Sequence, residues 1–445
     1  MCRCLRYWPL AIPVMATAIV LLIQPGDHLG VSGENPFRTR VYYDDADMAA
    51  FTLRGLNANL GRKPGPVEPN IDPEIIGAFD ENLRLDRHPP RLDRYFLEYP
   101  HAALFLFRGV MAVIPVQGTW PSTVLDFHYA NIIFYKPQTE DTRRMWRTFR
   151  QAARVFLLMN VAALMVMIFV LIRGLGPQGE WAGPAWLLVL PASLYFTMSR
   201  FDGLPSLFVI LGLAAAVRKW PITSGACLGF ATALKLYPLV IAPLIWRYMT
   251  TDMRTGVKWA LCFLAPLAAT FGVGIAMDGL EGAKAPFVFQ LSRPLEPGWV
   301  LYGRVLPVEL AKSSLARLGI LAAVSLVMFA TRPKTLDSLL RRCAIVLIVF
   351  ASLQQFFSPQ WLLWFVPLLV PLARKSWVLL ILLVVFDLLI YSSFPVVFDQ
   401  QAELPETKEV LIYSRGILMF ALLMWLAWGE VRVGFARWWV GPPRR

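Results

Sequence analysis

Three closely spaced aspartates, Asp44, Asp45 and Asp47, are the side chains of this sequence best suited to acid–base chemistry. They lie in a polar stretch, residues 24–99, between a first apolar segment and a chain that is mostly apolar afterwards. A carboxylate close to a membrane surface can act as general base on an acceptor hydroxyl, or can hold a metal ion. The same aspartates also suit a solvated turn or a helix N-terminus, where Asp is favoured for structural reasons.

Two further motifs place charge in apolar surroundings. Arg-Phe-Asp-Gly at 200–203 lies between two apolar segments, and Lys-Leu-Tyr-Pro at 235–238 interrupts another. A charge within a membrane segment is costly, and it is therefore a hypothesis of function by default. Lys235 is expected to pair either with Asp202, as a structural ion pair, or with a bound phosphate. Tyr237 belongs to the same motif as Lys235.

Candidate substrate-binding residues occur in three other places. Arg293, Tyr302 and Arg304 lie in a second polar stretch, whose cations suit phosphate recognition and whose aromatic rings suit sugar faces. Tyr99 precedes an apolar segment, and Gln360 belongs to a polar break between two others. Residues of these types are also common as interfacial anchors and in tight turns. The histidines have no metal-ligand spacing, so no metal site is predicted.

Composition indicates the class of protein that must position these residues. The 445 residues are 57% hydrophobic and 16% charged, whereas soluble domains carry about 25% charged residues. The apolar residues form runs too long for a soluble core. We therefore predict an all-α polytopic membrane protein with about 11–13 transmembrane helices. The net charge of +13 is better explained by Lys and Arg in cytoplasmic loops than by nucleic-acid binding.

The chain is predicted to form one integral domain, 1–445, in the plasma (inner) membrane. Arg3 and Arg6 flank the first helix and predict a cytoplasmic N-terminus. The predicted parts are a first helix, a long extracytoplasmic catalytic loop, a helical core, a second extracytoplasmic loop and C-terminal helices, at 7–23, 24–100, 101–277, 278–313 and 314–430. The segment 222–246 is either one kinked span or two half-helices broken at its Lys-Leu-Tyr-Pro motif.

Several of these motifs together resemble a known family. Arg-Phe-Asp-Gly-Leu-Pro at 200–205, Lys-Leu-Tyr-Pro at 235–238 and Phe-Ser-Pro-Gln-Trp-Leu-Leu-Trp at 357–364 look like glycosyltransferase family 87. The members of that family are polyprenol-phosphate-mannose-dependent mannosyltransferases of the GT-C superfamily. The acidic first loop and the Tyr-Pro step at 99–100 are similar to the GT-C pattern. His101 stands where the family usually has a second proline.

The resemblance implies an inverting glycosyltransferase with a GT-C-like helical fold and a long first extracytoplasmic loop. One of Asp44, Asp45 and Asp47 would be the general base. The residues expected at the substrate are Tyr99, Asp202, Lys235, Tyr237, Arg293, Tyr302, Arg304 and Gln360.

The reaction implied is transfer of a sugar, expected to be mannose, from a polyprenyl-phosphate donor to a lipid, glycan or protein acceptor on the extracytoplasmic face. No cofactor is required, because lipid phosphate is already a good leaving group, and a divalent metal is optional. The expected partners are the donor, the acceptor and membrane lipids, and no nucleic acid.

Two other function classes stay open. A transporter or flippase of a lipid-linked or small solute would use Lys235 and Asp202 as its coupling pair, and it predicts inverted repeats, which the sequence does not display. A cell-envelope polysaccharide polymerase or ligase would share the topology and the lipid-linked substrate. Its main functional loop is expected late in the chain, whereas the longest polar stretch here comes first.

Overall fold

The computed structural model describes residues 7–23, 54–56, 58–59, 61, 63–65, 94–96, 99–116, 140–175, 184–292, 313–354, 357–396 and 405–440. Most of these residues are helical, which confirms the predicted all-α class. Two three-residue strands, β1 (Lys63–Gly65) and β2 (Arg94–Phe96), pair in parallel beside the helices.

The helices are numbered in chain order. The first seven are α1 Ala11–Ile23, α2 His101–Ala112, α3 Glu140–Arg173, α4 Pro191–Ser199, α5 Gly203–Val217, α6 Pro221–Leu234 and α7 Pro238–Met249. The later ones are α8 Met253–Ser292, α9 Ser314–Ala330, α10 Leu336–Ser352, α11 Leu362–Ala373, α12 Trp377–Tyr391 and α13 Pro405–Val440. Shorter helical turns lie at Trp8–Leu10, Ala185–Val189, Pro359–Trp361 and Ser392–Val396.

Four helical stretches among the described residues are long and apolar enough to cross a membrane: Arg150–Arg173, Met253–Val288, Trp377–Phe394 and Val410–Arg432. The pair α4 and α5, bent by 108° at 200–202, would add a fifth if it forms one span. The remaining apolar helices have 10–17 residues, fewer than the roughly 20 needed to cross the hydrocarbon core. The predicted count of about 11–13 spans is therefore not reached by this criterion, because several predicted segments are broken or short.

Several helices begin or end together at one end of the bundle, which we call the basic end and define by the turns 218–220, 250–252, 331–335 and 374–376. Lys219 Nζ and Arg332 Nη2 each donate to the Tyr248 carbonyl oxygen at 3.2 Å. Lys375 Nζ donates to Asp337 Oδ2 at 2.6 Å. The start of α6 thus adjoins the end of α7, and the start of α10 adjoins the end of α11.

The segment 222–246 is accordingly two helices that run out from the basic end and return to it. Of the two arrangements open on sequence, the structure has the broken one, since α6 ends at Leu234 and α7 begins at Pro238. Pro238 stands at the first position of α7, where its missing N–H leaves no intrahelical bond unmade. The break between these helices lies about 20 Å from the basic end, because each has 12–14 residues at about 1.5 Å per residue.

Two glycines bring α6 against α8. A Cβ on Gly225 would lie 2.4 Å from the Trp259 carbonyl oxygen, and one on Gly229 would lie 2.2 Å from the Phe263 carbonyl oxygen. No side chain fits at such distances, so the two backbones approach as closely as a small-residue interface allows. This contact fixes the position of α6, whose C-terminal end leads directly into Lys235.

The second predicted loop, 278–313, departs from expectation in its first part. The structure continues α8 to Ser292, with one break at Gly279, where φ is +72°. Glycine adopts this left-handed conformation without steric cost, so the chain turns there and then resumes a helix. The predicted helical core ends at residue 277, close to the break at Gly279. The residues after this break form a helix up to Ser292, where a loop was expected.

Candidate functional site

Three helix breaks meet at one place in the structure. They are 200–202 between α4 and α5, 235–237 between α6 and α7, and the described residues 353–354 and 357–361 between α10 and α11. A broken helix leaves backbone groups without intrahelical partners and permits polar side chains to gather there. We call the residues Tyr99, Phe201, Asp202, Lys235, Tyr237 and Trp364 the Lys235 centre.

Lys235 and Asp202 form a close ion pair. Lys235 Nζ lies 2.7 Å from Oδ1 and 2.8 Å from Oδ2 of Asp202. Trp364 Nε1 donates to the same Oδ1 at 2.7 Å. The Asp202 carboxylate is fully buried and is bonded by both neighbours, as a buried charge must be. Of the two partners expected for Lys235, the structure therefore contains Asp202.

Aromatic rings enclose the Lys235 ammonium. Nζ lies 5.2 Å from the ring centroids of Tyr99 and Phe201, and 5.5 Å from that of Trp364. A cation within about 6 Å of an aromatic ring centroid is attracted by the face of the ring, most strongly when water is excluded. The Tyr99 and Phe201 rings meet edge to face at 4.9 Å, so they form a continuous wall.

Tyr237 connects the centre to α5 and α11. Its ring stacks on Trp364 with centroids 4.5 Å apart and planes 6° from parallel. Its hydroxyl lies 2.9 Å from Ser206 Oγ, which also donates to the Leu363 carbonyl oxygen at 2.8 Å. One hydrogen-bonded chain thereby joins three helices, and it fixes both members of the ion pair relative to Trp364.

Gln360 and Arg200 form a second polar contact between the same breaks. Arg200 Nε donates to Gln360 Oε1 at 3.1 Å, and the Arg200 carbonyl oxygen accepts from Asn160 Nδ2 at 3.0 Å. All three side chains are buried. Gln360 is therefore held by the protein itself, and the contact attaches the break at 200–202 both to α3 and to the break before α11.

Asp387 fixes the start of α4 from a different helix. Its two carboxylate oxygens accept from the backbone N–H groups of Ala192 and Ser193, each at 2.9 Å, and from Ser193 Oγ at 2.7 Å. A carboxylate at a helix N-terminus bonds the N–H groups that lack intrahelical partners. Because α4 leads into Arg200 and Asp202, this contact from α12 helps to set the position of the Lys235 centre.

The long polar stretch reaches this region through Arg54. The Arg54 side chain is buried, and its guanidinium carbon lies 5.8 Å from the Tyr99 ring centroid. A Cβ on Gly55 would lie 2.5 Å from the Phe107 carbonyl oxygen, so this part of the chain packs directly on α2. Arg54 follows Asp47 by seven positions in the sequence.

Of the predicted site residues that the structure describes, Tyr99, Asp202, Lys235 and Tyr237 meet at the Lys235 centre. Gln360 contacts Arg200, two positions before Asp202. The others lie outside the described residues and are Asp44, Asp45, Asp47, Arg293, Tyr302 and Arg304. Sequence reasoning placed neither Trp364 nor Phe201 at the site, although both belong to the motifs that it singled out. It also missed Arg54 and Ser206, which stand in no recognisable pattern.

The arrangement limits the chemistry of each group. Asp202 is fully buried and shared between Lys235 and Trp364, so it cannot take a proton from a substrate hydroxyl without loss of the ion pair. The Lys235 ammonium has three N–H donors and retains a small exposed surface. The centre is therefore suited to positioning and to one further hydrogen bond from Lys235.

No protein-family model matches the chain, and neither a curated protein nor a solved structure matches it.

Proposed function

We propose that this protein is a membrane glycosyltransferase that moves a sugar from a polyprenyl-phosphate donor to a hydroxyl acceptor, with inversion, on the extracytoplasmic side of the plasma (inner) membrane. The observation that carries the proposal is the convergence of separate motifs on one centre. Residues 99–100, 200–205, 235–238 and 357–364 carry the family resemblance, and they are far apart in sequence. Their described side chains meet at the Lys235 centre.

The position of the centre agrees with an extracytoplasmic reaction. Lys and Arg near membrane helices favour the cytoplasmic side, so the basic end is assigned to the cytoplasm. The Lys235 centre lies about 20 Å away along α6 and α7, toward the opposite face. The donor's lipid chain would lie among the apolar helices, and its phosphate and sugar would lie near this face.

In the proposed reaction, the acceptor hydroxyl oxygen attacks the anomeric carbon of the donor. The bond between that carbon and the phosphate oxygen breaks, and polyprenyl phosphate leaves with the bonding electrons. Asp44 or Asp45 takes the hydroxyl proton, with Asp47 as the third candidate. Arg293, Arg304 and the remaining N–H of Lys235 stabilise the negative charge on the phosphate, where preorganised cations lower the barrier most.

The test is sugar transfer in membranes that contain Asp44→Asn or Asp45→Asn, with polyprenyl-phosphate mannose as the donor. Loss of a general base lowers the rate by roughly 10²–10⁴-fold, and we expect this loss in one of the two variants. Asp72→Asn is the matched control, since it removes the same charge from the same polar stretch. Full activity in both test variants would contradict the assignment of the general base to Asp44 or Asp45.

A transporter or flippase is the second candidate, and one observation favours it. Lys235 and Asp202 pair at helix breaks within apolar surroundings, and discontinuous helices carry the ion and substrate sites of many secondary transporters. Reconstituted vesicles separate the two functions. A transporter moves the lipid-linked sugar or solute without chemical change, whereas a glycosyltransferase yields a new glycosidic product and free polyprenyl phosphate.

A further inference from the structure

Three cations at the basic end donate hydrogen bonds to backbone carbonyl oxygens. Lys219 and Arg332 each donate to the Tyr248 carbonyl oxygen at 3.2 Å, so their charged nitrogens lie within twice that distance of each other. Arg247 donates to the Ala330 carbonyl oxygen at 3.4 Å, beside the same turn. We call Lys219, Arg247 and Arg332 the Tyr248 cluster.

The partners of the Tyr248 cluster are carbonyl oxygens and aromatic rings. Lys219 Nζ lies 4.3 Å from the Tyr248 ring centroid, and the Arg247 guanidinium carbon lies 4.9 Å from that of Phe329. Among the described residues, no carboxylate lies within ion-pair distance of these three cations. The nearby Asp252 instead accepts from Thr251 and Thr255.

Other cations at the same end do have acidic partners. Lys375 pairs with Asp337, and Arg342 pairs with Glu430 at 3.0 Å. The Tyr248 cluster lies at the C-terminal ends of α5, α7 and α9, whose carbonyl groups supply about half a negative charge each. Three such ends offset about half of three positive charges, so a positive excess remains. Partial burial, and then the Arg332 charge, lower the pKa of the Lys219 ammonium below its ordinary value.

The backbone conformation at Lys219 is unusual for a lysine. The Trp220 N–H donates to the Ala215 carbonyl oxygen and the Lys219 N–H to that of Ala216, the two bonds of a Schellman helix end. Lys219 has φ +59°, a conformation in which glycine is the usual residue. Every other described residue with positive φ is a glycine, including Gly174 at the end of α3. A lysine therefore occupies a position where glycine would be less strained.

We propose that the Tyr248 cluster binds the phosphate of an anionic membrane lipid at the basic end. The neighbouring Trp220 is 57% exposed, and an exposed indole beside cations is typical of the interface between headgroups and acyl chains. A lipid phosphate accepts hydrogen bonds from the remaining N–H groups of Lys219 and Arg332, and it compensates the excess charge. The site is separate from the Lys235 centre, and it does not depend on the proposed sugar transfer.

The test is a binding titration of the full chain, purified in a neutral detergent, by native mass spectrometry. The probes are dioleoyl phosphatidylglycerol, dioleoyl phosphatidylcholine and inorganic phosphate. We expect phosphatidylglycerol to bind most tightly, and each cation removed from the cluster to weaken it by about fivefold. Lys219→Gly and Arg332→Gln are the variants. Lys219→Gly suits the backbone conformation, so its thermal stability is expected to be kept.

Lys258→Gln is the matched control, since it removes one exposed positive charge from the first turns of α8 at the same end. A loss of phosphatidylglycerol binding in Lys219→Gly and Arg332→Gln, with Lys258→Gln unchanged, supports the proposal. An equal loss in all three variants, or no loss in any, overturns it in favour of general surface charge or no site. Binding of inorganic phosphate as tight as that of phosphatidylglycerol overturns the assignment to a lipid.

Discussion

Two Lys–Asp ion pairs, Lys235–Asp202 and Lys375–Asp337, have nearly the same length in very different surroundings. Their closest N–O distances are 2.7 Å and 2.6 Å. The side chains are 12% and 0% exposed in the first pair, and 62% and 28% exposed in the second. Since the distances agree, burial decides what each pair contributes.

The difference separates two uses of charge in one molecule. At the Lys235 centre, each charge is held by a protein partner, because an unpaired buried charge is very costly. At the basic end, water reaches the Lys375 and Asp337 side chains, so that pair is weak, and the Tyr248 cluster has no carboxylate partner among the described residues. The first arrangement fixes helix breaks in place, and the second leaves cations available for an outside anion.

Breaking the buried pair has the largest expected effect. Asp202→Asn leaves the Lys235 charge buried without a counter-charge, and the free energy of unfolding is expected to fall by about 3–5 kcal/mol. Thermal unfolding in detergent measures the change. The double variant Asp202→Asn with Lys235→Met removes both charges, and it is expected to recover much of the lost stability. A double variant less stable than Asp202→Asn alone would show that the pair itself does not govern stability.

Asp387 tests a buried carboxylate that is bonded by neutral donors instead of a cation. Asp387→Asn removes the charge that accepts from Ala192 and Ser193, and the expected loss is about 1.5–3 kcal/mol. Ser193→Ala removes one of the donors, keeps the backbone bonds and serves as a milder comparison. Unchanged thermal stability in Asp387→Asn would contradict the role assigned to this contact at the start of α4.

Gly229 tests whether the centre depends on the close approach of α6 to α8. Gly229→Ala places a methyl group against the Phe263 carbonyl oxygen, so the helices must move apart at a cost of about 1–3 kcal/mol. Gly272→Ala on α8 is the matched control, because a Cβ there has no neighbour within 4 Å. At Gly272, the change from glycine to alanine is expected to stabilise the helix by up to about 1 kcal/mol. Equal stability of the two variants in thermal unfolding would count against the tight interface.

The exposed pair gives the smallest expected change. Lys375→Ala removes a contact as short as the buried one, yet the expected loss of stability is only about 0–1 kcal/mol. That loss should shrink further as salt is raised from low to 0.5 M, since solvent-exposed charges are screened. A loss as large as that of Asp202→Asn would mean that distance, rather than burial, controls these pairs.

Local patterns in the sequence predicted much of the helical framework. The apolar runs at 203–217 and 314–330 form α5 and α9, because long apolar runs between turn residues specify helices locally. The motif at 235–238 indicated a break because proline does not continue a preceding helix. The number of spans could not be predicted in this way, since the chain leaves the basic end along α6 and returns to the same end along α7.

Sequence alone determined that this is a helical chain with the apolar character of a membrane protein, and which motifs hold its unusual charges. Those properties follow from composition and from the spacing of neighbouring residues. Only the tertiary structure decided that Lys235 bonds Asp202, 33 positions away, and that Trp364, 162 positions away, completes the contact. Such pairings depend on how broken helices pack together, because a buried charge needs a partner and the packing decides which distant residue supplies it.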